Sequence, residues 1–121
     1  MCNRFSYLRR RPSERFGGRT ARPLKVYETV QVCTVGNNYV EVLLGRYKGV
    51  WVVGYNYRVG TLGGYAAPCL KFGWFESRQD AELYMLGELL NWLEPYGLVK
   101  QAICERIFTV RQTEIAFSIK P

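Results

Sequence analysis

The texture of the chain changes once, at Ser77, and that change constrains the fold more than any other feature. From Val26 to Ser77, apolar residues come in short β-branched and aromatic runs separated by turn residues; beyond Ser77 they recur at helical spacing. Residues 26–35 (V-Y-E-T-V-Q-V-C-T-V), 39–44 and 50–58 (V-W-V-V-G-Y-N-Y-R) predict three strands. In the first, Val26, Val30 and Val32 share a face, with Glu28 beside them as an exception. Gly36-Asn37-Asn38 and the G-R-Y-K-G of residues 45–49 are turn signals, and such short turns imply an antiparallel meander. The glycine-rich residues 60–68 read as a loop, and residues 70–75 (L-K-F-G-W-F) as a short fourth strand.

Ser77, with Asp80 three positions on, is close to a capping box. It opens a predicted helix over residues 78–93, where Ala81, Met85, Leu89 and Trp92/Leu93 keep helical spacing, joined by Leu86 and Leu90. Trp92 is expected to be mostly buried, and Glu82 and Glu88 to be solvated. Pro95 and Gly97 end this helix. Leu98, Ala102, Ile103, Ile107 and Val110 fit a second helix to about Arg111, whereas Ile115, Phe117 and Ile119 alternate as in a short strand or extended tail. Strands followed by helices predict an α+β fold: an antiparallel sheet of three to four strands packed by one or two C-terminal helices.

Charge divides the chain differently. Of 121 residues with net charge +7, the first 25 hold Arg4, Arg9, Arg10, Arg11, Arg15, Arg19, Arg22 and Lys25 against the single acid Glu14. Residues 26–121 hold nine basic and nine acidic side chains, so the whole excess lies at the N-terminus. Two prolines, a Gly-Gly pair and like charges mark residues 1–23 as a flexible basic arm, interrupted by Phe5, Tyr7, Leu8 and Phe16. Residues 24–121 then form a single α+β domain. Guanidinium groups bind phosphate in a forked geometry and displace its counterions, so the eight basic residues are candidate nucleic-acid contacts. The bland alternative is a solubilising, unstructured terminus.

Several classes are disfavoured by what is present. No stretch approaches the ~20 apolar residues of a membrane-spanning helix, and no apolar run follows the N-terminal charges as in a secretory signal. Cys2, Cys33, Cys69 and Cys104 are scattered without a C-x-x-C pair, and there is no histidine, which argues against a metal centre and against cofactors. The cysteines read as reduced thiols in a cytoplasmic protein, with Cys33 and Cys104 in apolar runs as core residues. Without histidine the usual general base and the Ser-His or Cys-His pair are missing, so no catalytic residues are assigned.

Four motifs remain. Gly60, Gly63 and Gly64 match neither G-x-G-x-x-G nor a P-loop, and a wide loop between strands explains them better. Residues 48–55 (K-G-V-W-V-V-G-Y) match the RNA-recognition signature at Lys48, Gly49, Val53 and Tyr55 but place Val50 and Val52 at its stacking positions, which rejects that family. Trp51, Tyr55 and Tyr57 share one side of their strand, as core beneath the helix rather than as a stacking platform. Gln112, Ile115 and Phe117 (Q-x-x-I-x-F) resemble the peptide by which bacterial replication and repair proteins dock on the sliding clamp, and that resemblance implies partner binding there.

Meander strands followed by K-F-G-W-F-E-S-R-Q-D-A-E and a helix resemble the tryptophan-glycine-arginine (WGR) domain, a DNA-associated module, over residues 26–94. The family's triplet is absent, Phe72-Gly73-Trp74 being a rearranged echo, so no functional residue is carried over. The general style also resembles small accessory proteins of phages and conjugative elements. Two functional expectations follow. One is a non-enzymatic accessory protein that binds nucleic acid through its arginine-rich arm. The other is a protein-binding module, such as an inhibitor of a host defence system or a component of a larger assembly.

Overall fold

The β-branched runs pair in the order in which they occur. In the computed structural model, which describes the backbone of residues 22–119 and side chains as far as residue 113, β1 (Glu28–Val35), β2 (Asn38–Tyr47), β3 (Val50–Val59) and β4 (Leu62–Cys69) form one antiparallel sheet in the order β1-β2-β3-β4. Two helices follow, α1 (Arg78–Trp92) and α2 (Gly97–Ile119), so the α+β architecture is as expected. Lys48 and Gly49 turn β2 into β3 with positive φ at both, which matches the right-handed twist of a hairpin. Gly45, read as part of that turn, instead lies inside β2.

The fourth strand differs from expectation. Residues 60–68 are not a loop: all but the turn at Gly60-Thr61 belong to β4, which pairs with β3 from Val59↔Leu62 to Val53↔Cys69. Residues 70–75 are not a strand but a 3-10 turn (Leu70–Phe72) followed by isolated bridging, as in Trp51↔Phe75. The cause is tertiary. β3 would otherwise leave one row of backbone groups unpaired, and a poor strand former beside it is drawn into the ladder. Pro68, which cannot donate, is tolerated because β4 is an edge strand.

Pleating sorts the side chains onto two faces. Val40, Val42 and Leu44 of β2 share the inner face with Val53, Tyr55, Tyr57 and Val59 of β3. There they meet Met85, Leu86, Leu89 and Leu93 of α1 and Ile103 and Ile107 of α2 in the main core. Fully burying each such aliphatic side chain contributes about 1.5–3 kcal/mol. Trp51, Tyr55 and Tyr57 therefore line the core, as the row predicted; Tyr55 packs edge-on against Trp92, ring centroids 5.1 Å apart. Trp92 itself is half-buried, and it is Leu93 that is fully enclosed. On the outer face, Val50, Val52, Leu70 and Trp74 form a smaller cluster capped by Leu24.

Helix α1 starts where the capping signal placed it: Ser77 Oγ accepts from the Asp80 amide at 3.0 Å. Helix α2 is longer than predicted. Its backbone stays helical to Ile119, so the alternation of Ile115, Phe117 and Ile119 marks neither a strand nor an extended tail. Cys33 and Cys69 are free and buried, whereas Cys104 is disulfide-bonded, against the expectation of four reduced thiols.

Glu82, expected at the surface, has no solvent exposure. Arg106 Nε of α2 donates to its Oε2 at 2.6 Å, and Arg78 Nη1, one turn back on α1, to its Oε1 at 3.4 Å. Arg78 also grips Glu28 on β1, through Nε to Oε1 at 3.0 Å and through Nη2 to Oε2. Glu28, the exception on its strand face, is thus the sheet's end of a chain of ion pairs joining β1, α1 and α2. Both arginines keep about a third of their surface in water (33% and 31%), so removing the carboxylate strands neither charge completely. Glu82→Gln is expected to cost about 3 kcal/mol, the low end for a broken buried pair, read from the urea midpoint at constant m-value.

The hydrogen bond from Arg78 holds the Glu28 carboxyl below its ordinary range. A lowered folded-state pKa contributes stability above the unfolded value of about 4.3 that is lost as pH falls through the folded one. Wild type is expected to exceed Glu28→Gln in stability at neutral pH and to converge with it in acid. Because Glu28 is about half exposed (48%), the neutral-pH gap should stay within about 1 kcal/mol.

Candidate nucleic-acid interface

Half of the outer sheet face is left uncovered by Leu24 and the 3-10 turn. Its floor follows from strand register. Tyr39 on β2 stands opposite Arg58 on β3, Glu41 opposite Asn56, and Asn56 in turn opposite Tyr65 on β4. Arg58 is also paired with Gly63. Asn56 Nδ2 donates to Glu41 Oε1 at 3.1 Å, which occupies the one carboxylate of this group. Arg58 is exposed and makes no ion pair among the described residues. Together Tyr39, Asn56, Arg58, Gly63 and Tyr65 line an open groove of about 450 Å³.

Local constraints hold this groove in shape. The β3–β4 turn takes positive φ at Gly60, whose amide donates to Asn38 Oδ1 at 3.0 Å and so ties the turn to the start of β2. Gly54 lets β4 cross β3 closely at the register shift: a Cβ there would lie 2.0 Å from the Ala66 carbonyl oxygen and 2.7 Å from the Ala67 carbonyl carbon. Gly64 accommodates the inner-face rings, since its Cβ would meet Tyr57 at 3.0 Å and Tyr55 at 3.1 Å. Gly63 is different. It lacks a positive φ, and its Cβ would find only the Tyr57 carbonyl oxygen, at an ordinary 3.5 Å.

The chain reaches the groove from the arm's side. Leu24 donates its amide to the Pro68 carbonyl at 2.9 Å and covers Gly45, where a Cβ would come within 2.3 Å of Leu24 Cδ1. Tyr27 and Tyr65 share a hydroxyl hydrogen bond of 2.8 Å, which holds the Tyr27 phenol above its ordinary value. Arg22 and Lys25 flank Leu24 and are exposed.

The basic residues expected to contact nucleic acid are therefore divided. Arg22 and Lys25 enter across the outer face, while Arg4, Arg9, Arg10, Arg11, Arg15 and Arg19 lie outside the described residues. Gln112 is exposed on α2, away from these groups in sequence and on a different element; the side chains of Ile115 and Phe117 fall outside the described residues. Tyr39, Arg58 and Tyr65 were not singled out from sequence, though the alternation of β2 against β3 places them opposite the core-facing row.

No group of three or more His, Cys, Asp or Glu side chains among the described residues is placed to hold a metal, and no helix there is long and apolar enough to cross a membrane. No protein-family model matches the chain, and neither does any curated protein or solved structure.

The glycines separate scaffold from surface. Gly54→Ala must displace backbone and is expected to cost about 3 kcal/mol, the upper part of the usual range for overpacking. Gly63→Ala meets no obstacle and relieves the entropy of a strand glycine, so its melting temperature should equal or exceed wild type. Calorimetry of the two variants side by side checks both.

Proposed function

We propose that this chain is a small, non-enzymatic, nucleic-acid-binding accessory protein whose affinity comes from its arginine-rich N-terminal arm. The observation that carries the reading is the charge partition: eight basic residues against one acid up to Lys25, and nine against nine afterwards. A neutral body has little long-range attraction for a polyanion, whereas a run of guanidinium groups displaces condensed counterions at each phosphate it meets. The exposure of Arg22 and Lys25 beside Leu24 supports the reading, because it leaves both cations open to a polyanion. Arg4, Arg9, Arg10, Arg11, Arg15 and Arg19 would extend the same contact along the backbone.

Binding to random-sequence DNA and RNA at two salt concentrations tests this. Affinity should fall steeply with salt, by about 0.9 log units per log unit of salt for each phosphate contact on duplex DNA and about 0.7 on a single strand. Replacing Arg9, Arg10 and Arg11 together with alanine should lower that slope by roughly two to three units while leaving the melting temperature unchanged. An unchanged affinity and slope in the folded variant would sink the arm as the binding element and favour a protein partner.

A further inference from the structure

We infer that the open half of the outer sheet face is a base-stacking site for single-stranded nucleic acid, with Tyr39 and Tyr65 as ring surfaces, Arg58 as the phosphate contact, and Gly63 kept bare to admit a base. This rests on the nucleic-acid reading above and adds which form of nucleic acid is bound and where.

Three features of the groove converge on this ligand. Two of its walls are tyrosines, one of them 58% exposed, on a sheet whose other aromatic residues on β3 are committed to the core. Aromatic rings in water beside a cation are the elements that bind unpaired bases, because every base presents a π-face once it is free of its own stack. A duplex keeps those faces covered and presents phosphates and groove edges instead. Against a duplex the open face has little to offer beyond the single guanidinium of Arg58.

Gly63 is the second feature. Neither its backbone angle nor its neighbours require glycine, and a glycine weakens an edge strand. It sits opposite Arg58 and two residues before Tyr65 in the lining of the groove, so a larger side chain there would take up room in it. The third is continuity with the arm. Residues 22–27 run over the same face, and the Tyr27–Tyr65 hydroxyl contact joins that strap to the groove wall. A strand whose phosphates lie along the arm is thereby delivered to the tyrosines.

The full chain should be titrated by fluorescence anisotropy with a dT oligomer, an rU oligomer, an abasic oligomer of equal charge and a random duplex, each at a low and a physiological salt concentration. Wild type is expected to bind a single-stranded oligomer at least about tenfold more tightly than the duplex or the abasic strand. Tyr65→Ala and Gly63→Val should each lose about tenfold on the single strand with duplex affinity and salt slope unchanged, whereas Tyr65→Phe, which keeps the ring and loses the hydroxyl, should bind as wild type. Both loss variants change exposed positions, and their melting temperatures verify that they fold. The dT and rU arms say which sugar is accepted. Equal binding of single strand, abasic strand and duplex, or full single-strand affinity in Gly63→Val and Tyr65→Ala, overturns the stacking site while leaving the arm reading in place. Failure of wild type to bind any of the four at low salt overturns both.

Discussion

A carboxylate removed from water at the meeting of β1, α1 and α2 fixes how the helices sit on the sheet. Burying one ionised group carries a large desolvation penalty that is offset only by well-placed partners, and Glu82 has two, one from its own helix and one from the next. Apolar side chains along α1 could slide against the sheet with modest loss, because hydrophobic contact is non-directional. A hydrogen-bonded ion pair cannot. The chain Glu28–Arg78–Glu82–Arg106 therefore sets the angle of α2 to α1 and the position of both over β1, and the aliphatic core fills the shape so defined.

Covering the inner face decides what the outer face is free to do. With Trp51, Tyr55 and Tyr57 engaged beneath the helices, the opposite side of the same strands carries Asn56, Arg58 and their neighbours on β2 and β4. Leu24, Leu70 and Trp74 close only the end near Val50 and Val52. The open end depends on β4, a strand built almost entirely of small or turn-forming residues, and β4 depends on Gly54 for its close approach. Stability and site are thus linked through one glycine, while Gly63, on β4 opposite Arg58, serves no packing purpose.

The elements set by local patterns were legible in the residues. The three meander strands carry β-branched runs, and α1 announces itself through Ser77 and the repeat of Ala81, Met85 and Leu89. The features that escaped are those imposed from a distance. β4 has the composition of a loop and becomes a strand only because β3 lies beside it; residues 70–75 have the composition of a strand and form a 3-10 turn and isolated bridging. Ile115, Phe117 and Ile119 alternate like a strand but continue a helix whose earlier turns are already anchored by Val99, Ile103 and Ile107. Glu82 sits one turn before Leu86 and beside Met85, within the apolar stripe, so its burial had a local sign; its second partner, 24 residues on, had none. Tyr39 and Tyr65 were obscured because the tryptophan-containing row on β3 drew the aromatic reading to the wrong face.

Separating charge from shape has a physical rationale in a chain of this size. A single small core leaves little stability to spare, and like charges gathered on a folded surface weaken it by self-repulsion. Placing the whole excess before Val26 keeps that repulsion out of the body, whose own ions are spent on internal pairs such as Arg106–Glu82 and Lys100–Glu94 or stacked on rings, as Arg46 is over Trp51 at 5.2 Å. Arg58 is the departure from this economy: an exposed guanidinium without an ion pair among the described residues, set beside two tyrosines and a bare glycine. In a body that otherwise neutralises its charges locally, this cation stays open to an outside anion, on the same face that the strap of residues 22–27 crosses through Leu24–Pro68 and Tyr27–Tyr65.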